Sequence, residues 1–172
     1  MPTMNETKPQ SRLAIWLATG LGVGLVSPAP GTIGGLWGLP LALAVGMLPT
    51  VTAEVLAIVL IGLASVAICS VAARALGSSK DPQAIVLDEI AALPIVFLGV
   101  DSKGPAVWIA GWLLFRALDI TKPPPIRQFE RLPSGWGIMA DDWVAAAEAC
   151  VLLHLLLWLD QIAAWGMFAA VA

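Results

Sequence analysis

From Leu13 through Ala53 the chain carries no Asp, Glu, Lys or Arg, an uncharged run of 41 residues; Glu54 is followed by a further 19 uncharged residues, Val55–Ala73. Apolar length on this scale restricts the fold more than any other feature. In hydrocarbon every backbone N–H and C=O must be paired within the protein, which leaves helices and closed barrels, and apolar runs of about 20 residues point to helices. Charged residues make up 12% of the chain and apolar residues 59%, with mean hydropathy +0.87; a soluble domain averages roughly 25% charged residues. The expectation is an all-α, polytopic helical membrane bundle. Residues 1–11 are polar and read as a disordered tail, and 12–172 as a single helical membrane domain. Eight Trp without a Tyr suit interfacial anchoring.

The helices can be placed from their breakers. Leu13–Val26 follows Lys8 and Arg12 like a signal sequence, but no small-x-small cleavage site follows. Its 14 residues make a helix of about 21 Å, short for a roughly 30 Å core, so it is read as interfacial or partly inserted. Ser27-Pro28-Ala29-Pro30-Gly31-Thr32 forms a turn. The helices expected after it span 33–48, 55–73, 83–100 with a bend at Pro94, 105–119 and 143–159. Gly34, Gly35 and Gly38 permit close packing or backbone approach to a ligand. Lys122-Pro123-Pro124-Pro125 stops the fourth of these helices, because three prolines cannot continue one. Gly135-Trp136-Gly137 is expected as a flexible turn, Asp141-Asp142 as the opening of the last long helix, and Asp160 as an interruption before a terminal helix, 161–172.

Against this apolar background, 115–142 holds eight of the chain's 21 charged residues: Arg116, Asp119, Lys122, Arg127, Glu130, Arg131, Asp141 and Asp142. A charged cytoplasmic loop is the plain reading. Threading the five expected spans through a bilayer, however, brings Thr32, Asp88, Glu89, Arg116, Asp119, Asp141 and Asp142 to one side, together with Arg74, Lys80, Lys122, Arg127 and Arg131. Only Lys103 remains basic on the outer turns, so the charged side is expected to be cytoplasmic. Separate charge clusters meeting at one end of a membrane domain call for a function. Cations suit phosphate, and paired carboxylates suit a divalent metal. Net charge −3 marks out no partner, and nothing resembles a nucleic-acid surface. Cys69 and Cys150 sit in apolar runs as packing residues, and a single His154 excludes a histidine pair.

Three blocks carry a resemblance. They are Ser27-Pro28-Ala29-Pro30-Gly31-Thr32, then Val86-Leu87-Asp88-Glu89, then Phe115-Arg116-Ala117-Leu118-Asp119-Ile120-Thr121-Lys122-Pro123-Pro124-Pro125-Ile126 continuing to Gly137-Ile138-Met139-Ala140-Asp141-Asp142. In order and spacing, over residues from about 20 to 150, the chain resembles phosphatidylglycerophosphatase A, a bacterial membrane phosphatase family. Ala91-Ala92 and Ala145-Ala146 depart from the family's usual small-residue pairs, which bears on packing more than on chemistry. The resemblance implies a multi-pass protein of the bacterial inner membrane. Its expected activity is Mg²⁺-dependent removal of the terminal phosphate of phosphatidylglycerophosphate, yielding phosphatidylglycerol, with that lipid and other membrane lipids as its partners.

Residue roles follow from what a phosphate monoester needs. Mg²⁺ prefers hard oxygen ligands, which Asp88, Glu89, Asp141 and Asp142 can supply. Adjacent carboxylates on a helix diverge by about 100°, so one of each pair can face a metal and the other a cation. Arg116 and Lys122 are phosphate clamps, with Thr32 and Arg127 as further phosphate contacts. Asp119 is a metal ligand, a base for water, or the partner of Arg116. Asp119, Arg116, Lys122 and Asp142 form the expected catalytic set. Metal-activated water is favoured as nucleophile over an aspartyl phosphate, since Thr121 stands where the second Asp of an Asp-x-Asp pattern belongs. Glu54, His154 and Asp160 are expected to lie outside the site. Pro133-Ser134-Gly135 is followed by Trp136, not the His of another lipid phosphatase superfamily, and the Asp and Gly spacing of a CDP-alcohol transferase is missing. A small transporter would hold its charges near midplane. With a non-enzymatic assembly subunit, it is the alternative to an enzyme.

Overall fold

The computed structural model describes residues 9–77, 82–101, 104–129, 132 and 134–168. Most of the expected tail (residues 1–8), as well as Lys80, Lys103, Glu130, Arg131, Pro133 and residues 169–172, lie outside them. The described residues are helical, without a strand: α1 Pro9–Ala18, α2 Val23–Val26, α3 Pro30–Gly35, α4 Gly38–Val45, α5 Val51–Ala75, α6 Leu87–Val96, α7 Pro105–Thr121, α8 Ile126–Phe129 and α9 Gly135–Ala163.

Among the described residues, two helices are long and apolar enough to cross a membrane, α5 with 25 residues and α9 with 29, about 37 and 43 Å at 1.5 Å per residue. The five expected passes are thus uneven. α6 has 10 residues instead of 18, because Gln83–Val86 is committed elsewhere: Val86 N–H donates to Ala18 O at 2.9 Å and Ile85 N–H to Pro82 O. At its far end Gly99 N–H donates to Glu54 Oε2 at 3.2 Å. Glu54 is therefore a buried anchor remote from the charged end. The expected helix 13–26 is two pieces, since Gly20, Leu21 and Gly22 take positive φ (58°, 61° and 94°) and break the ladder. α1 also reaches back into the expected tail.

α6 is the hub. α9, α5, α3, α4 and α7 all pack on it, and α9 in turn carries α5, α7 and α8. Phe115, Leu93, Val96, Val107, Leu153 and the alanines of α9 form one core; Ile15, Cys69, Ile138 and Met139 form a second between α1, α5 and α9. Glycines set the closest approaches. A Cβ at Gly34 would meet Val86 and one at Gly38 would meet Leu93, each at 2.8 Å, so the α3–α4 seam packs closely on α6 as the spacing suggested.

Two expectations about α9 need correction. Gly135 is not a flexible turn but the buried first residue of the helix. Its N–H donates to Ser70 Oγ at 3.0 Å, and a side chain there would collide with α5. Asp141 and Asp142 consequently lie in the second turn of α9 instead of opening it. Nor does Asp160 interrupt the helix. It is buried, and its carboxylate accepts from Met167 N–H at 2.9 Å and Phe168 N–H at 3.2 Å, fastening the chain where it reverses after Ala163. Of the expected terminal helix, 161–172, residues 161–163 continue α9 and 164–168 form that reversal.

Candidate functional site

Four helix ends meet at the charged end of the molecule. α3 and α6 start there, α7 stops there, and the first two turns of α9 pass through it. They enclose a cavity of about 500 Å³ lined by Pro28–Thr32, Gln83, Ile85, Asp88, Glu89, Arg116, Asp119, Ile120, Lys122, Asp141 and Asp142. Four segments separated in the sequence, 28–32, 83–89, 116–122 and 141–142, thus converge on one volume.

Arg116 is the centre of the constellation. Its Nη1 donates to Glu89 Oε1 at 2.8 Å and to Asp119 Oδ2 at 2.6 Å, and its Nη2 reaches Thr32 Oγ1 at 3.4 Å. One guanidinium therefore ties α7 to α6 and α3. The three-residue spacing of Arg116 and Asp119 puts both on one helix face, as expected. Their side chains and that of Glu89 are only 11–12% exposed, so these are not surface pairs of negligible strength. Gly31 and Gly35 make room for Glu89: a Cβ on Gly31 would strike Oε1, and one on Gly35 would stand 3.0 Å from Oε2. The glycines thus accommodate the carboxylate, which is close approach to a functional side chain.

Lys122 ends α7 in the left-handed conformation, φ 43° and ψ 60°, uncommon for a residue with a side chain. The prolines after it cannot extend the helix. Its Nζ donates to Asp141 Oδ2 at 2.6 Å. Asp88 accepts from Glu89 N–H at 3.0 Å in the first turn of α6. Asp142 is buried, with Asp88, Asp119 and Asp141 as its charged neighbours. Carboxyl groups gathered in this way need protons or cations to offset their mutual repulsion.

Buried Asp141 Oδ1 has no hydrogen-bond partner. An orphaned hard oxygen beside clustered carboxylates fits a small divalent cation. Among the described residues, no three acidic, His or Cys side chains already stand together as a ligand set. Arg116 and Lys122 hold Glu89, Asp119 and Asp141, and a metal would have to draw oxygens away from them.

The structure brings together Thr32, Asp88, Glu89, Arg116, Asp119, Lys122, Asp141 and Asp142. Arg127 stands apart, exposed on α8 and not lining the cavity. His154 and Asp160 border a separate cavity of about 630 Å³ at the opposite end. Gln83 and Ile120 line the site without having been singled out. Ile120 lies within the Asp119–Lys122 block, whereas Gln83 gave no chemical signal.

The phosphatidylglycerophosphatase A family profile matches residues 16–157. A Haemophilus influenzae protein named phosphatidylglycerophosphatase A is 35% identical over 156 residues, covering 87% of this chain and 95% of that protein. An Escherichia coli K12 protein of the same name is 34% identical over 142 residues, 81% of each. A Bacteroides thetaiotaomicron protein, named as a candidate phosphatidylinositol-3-phosphatase, is 33% identical over 159 residues, covering 88% of this chain and 98% of that protein. No solved structure matches the chain.

Proposed function

The chain belongs to the phosphatidylglycerophosphatase A family, and from that premise we propose how its charged cavity acts as a lipid phosphatase. The protein hydrolyses the terminal phosphate monoester of phosphatidylglycerophosphate, giving phosphatidylglycerol and inorganic phosphate. The observation that carries the reading is the single cavity in which Arg116 and Lys122 face Glu89, Asp119 and Asp141. It offers both cations for a phosphate and hard oxygens for a metal.

In this reading Arg116 turns its guanidinium fork from carboxylates to phosphate oxygens, with Thr32 Oγ1 beside it as a further hydrogen-bonding group. Lys122 adds a point charge from the other wall. Mg²⁺ is the proposed cofactor: when bound, it supplies positive charge against the phosphate and makes water a stronger nucleophile. Asp88, Glu89, Asp141 and Asp142 are the residues that would hold it. Asp119 orients the attacking water and accepts its proton. As the water oxygen bonds to phosphorus, the ester P–O bond breaks. The departing oxygen takes a proton from solvent water and becomes the terminal hydroxyl of phosphatidylglycerol, and Asp119 gives up its proton to solvent. Arg127 contacts the surrounding anionic lipid surface, not the reacting phosphate. We propose the bacterial inner membrane as its location, with the cavity on the cytoplasmic side, where the positive-inside rule puts a basic end.

Phosphate release from phosphatidylglycerophosphate by the purified protein, with and without Mg²⁺, tests the proposal. Metal-dependent release supports it, and no release under either condition would refute it. Phosphatidylinositol-3-phosphate belongs in the same assay because of the Bacteroides relative's name; preferential turnover of that lipid would move the substrate assignment.

A further inference from the structure

We propose that the acyl chains of the lipid substrate lie in a lateral groove between α3–α4 and α7, floored by α6, with Leu36 and Leu113 as its walls beside the phosphate cavity. This rests on the phosphatase reading and names the part of the substrate that the charged residues cannot recognise.

Helix faces define the groove. Thr32 and Arg116 are joined at 3.4 Å, so those sides of α3 and α7 face each other at the cavity. Leu36 is four residues beyond Thr32, with α3–α4 continuing away from the site. Leu113 is three residues before Arg116, with α7 arriving from the same remote end. Each therefore stands about one turn, roughly 5 Å, beyond the phosphate contacts and on the facing side. Both are apolar and open, at 43% and 52% exposure. Ile109 extends the α7 wall by another turn. Between the walls runs α6, on which both α3–α4 and α7 pack.

Continuity distinguishes this face from the others. The outer faces of α5 and α9 also expose leucines, Leu60 and Leu155 among them. No residue of α5 lines the cavity, and α9 contributes only Asp141 and Asp142. Thr32 and Arg116, by contrast, both line the cavity, so Leu36 and Leu113, one turn on from them along α3 and α7, stand directly beside it. The occupant follows from the substrate's own chemistry. Its polar headgroup fits a charged chamber of about 500 Å³, while its diacylglycerol end must remain against apolar surface.

The test compares two substrates that differ only in their acyl chains: long-chain phosphatidylglycerophosphate in mixed micelles, and its deacylated headgroup, glycerophosphoglycerophosphate. Leu36→Asn and Leu113→Asn should each lower the ratio of long-chain to deacylated kcat/KM by about tenfold, the scale of one lost leucine contact. Leu60→Asn and Leu155→Asn should leave that ratio at the wild-type value. Should an Asn variant fail to fold, Leu→Ala at the same position carries the measurement, with a smaller expected drop. An unchanged ratio in the Leu36 and Leu113 variants, or an equal drop in all four, would overturn the groove while leaving the phosphatase reading intact. A wild-type protein that hydrolyses neither substrate would overturn both.

Discussion

Gly31→Ala is a change of one methyl group on which two effects of opposite sign act. Gly31 lies inside α3 with ordinary helical φ, so alanine suits its backbone and should favour the helix by up to about 1 kcal/mol. The new Cβ, however, falls on Glu89 Oε1. A flexible carboxylate could normally swing aside, but this one accepts from Arg116 at 2.8 Å and is 12% exposed. Moving it breaks a buried charge-assisted hydrogen bond, worth about 1.5–3 kcal/mol. The collision therefore outweighs the propensity, leaving a net destabilisation of about 0.5–2 kcal/mol by these two terms.

Activity should suffer further, because Glu89 and Arg116 are displaced together. We expect kcat/KM to fall by at least about tenfold, the cost of a loosened electrostatic element. A double-mutant cycle with Glu89→Ala isolates the cause. With the carboxylate gone, the same Gly31→Ala change should become neutral or stabilising, read as the thermal unfolding midpoint in detergent. If Gly31→Ala were equally harmful in both backgrounds, the reasoning would be wrong, and Gly31 would be required for some other contact.

At the site, Asp142→Asn or Glu89→Gln should each lower kcat by on the order of 100-fold, measured as phosphate release from folded protein, as loss of a metal or electrostatic element commonly does. Arg116→Lys should impair turnover as well, because one ammonium cannot bridge Glu89, Asp119 and Thr32 as the planar fork does; wild-type kinetics would refute this. Chelation should abolish activity and Mg²⁺ restore it, with Ca²⁺ a poor substitute because of its looser coordination; full activity after dialysis against chelator would rule out the metal. Asp160→Asn should leave specific activity near wild type but lower the unfolding midpoint, since the carboxylate accepts two backbone N–H groups far from the cavity.

The site was more legible in the sequence than the helix boundaries, for a physical reason. Charge in an apolar chain is costly, so the few positions that keep it carry information, and their side chains reach across space. Arg116, Asp119, Lys122, Asp141 and Asp142 stood out against long uncharged runs, and the structure brings them into one cavity with Asp88 and Glu89 from α6. Boundaries in such a chain depend on weaker and less local choices. The late start of α6 depends on a backbone bond from Val86 to Ala18, 68 positions earlier. The helical start at Gly135 depends on Ser70, 65 positions away. Neither partner can be inferred from local periodicity, and a Gly-Trp-Gly triplet read locally is a turn.

The misplaced start of α9 has a chemical consequence. Had Asp141 and Asp142 opened the helix, capping its free N–H groups would have sufficed to explain them. In the second turn those amides are already within the helical ladder, so the carboxylates do not serve as caps. Asp141 instead turns one oxygen to Lys122 and leaves the other without a hydrogen-bond partner, while Asp142 is buried against Asp119. Two adjacent acids held inside a long apolar helix, with the terminal role removed, are explained by what they face across the cavity. That face contains the cations and carboxylates of α6 and α7, so the correction to the fold strengthens the case for placing a phosphate and its metal between them.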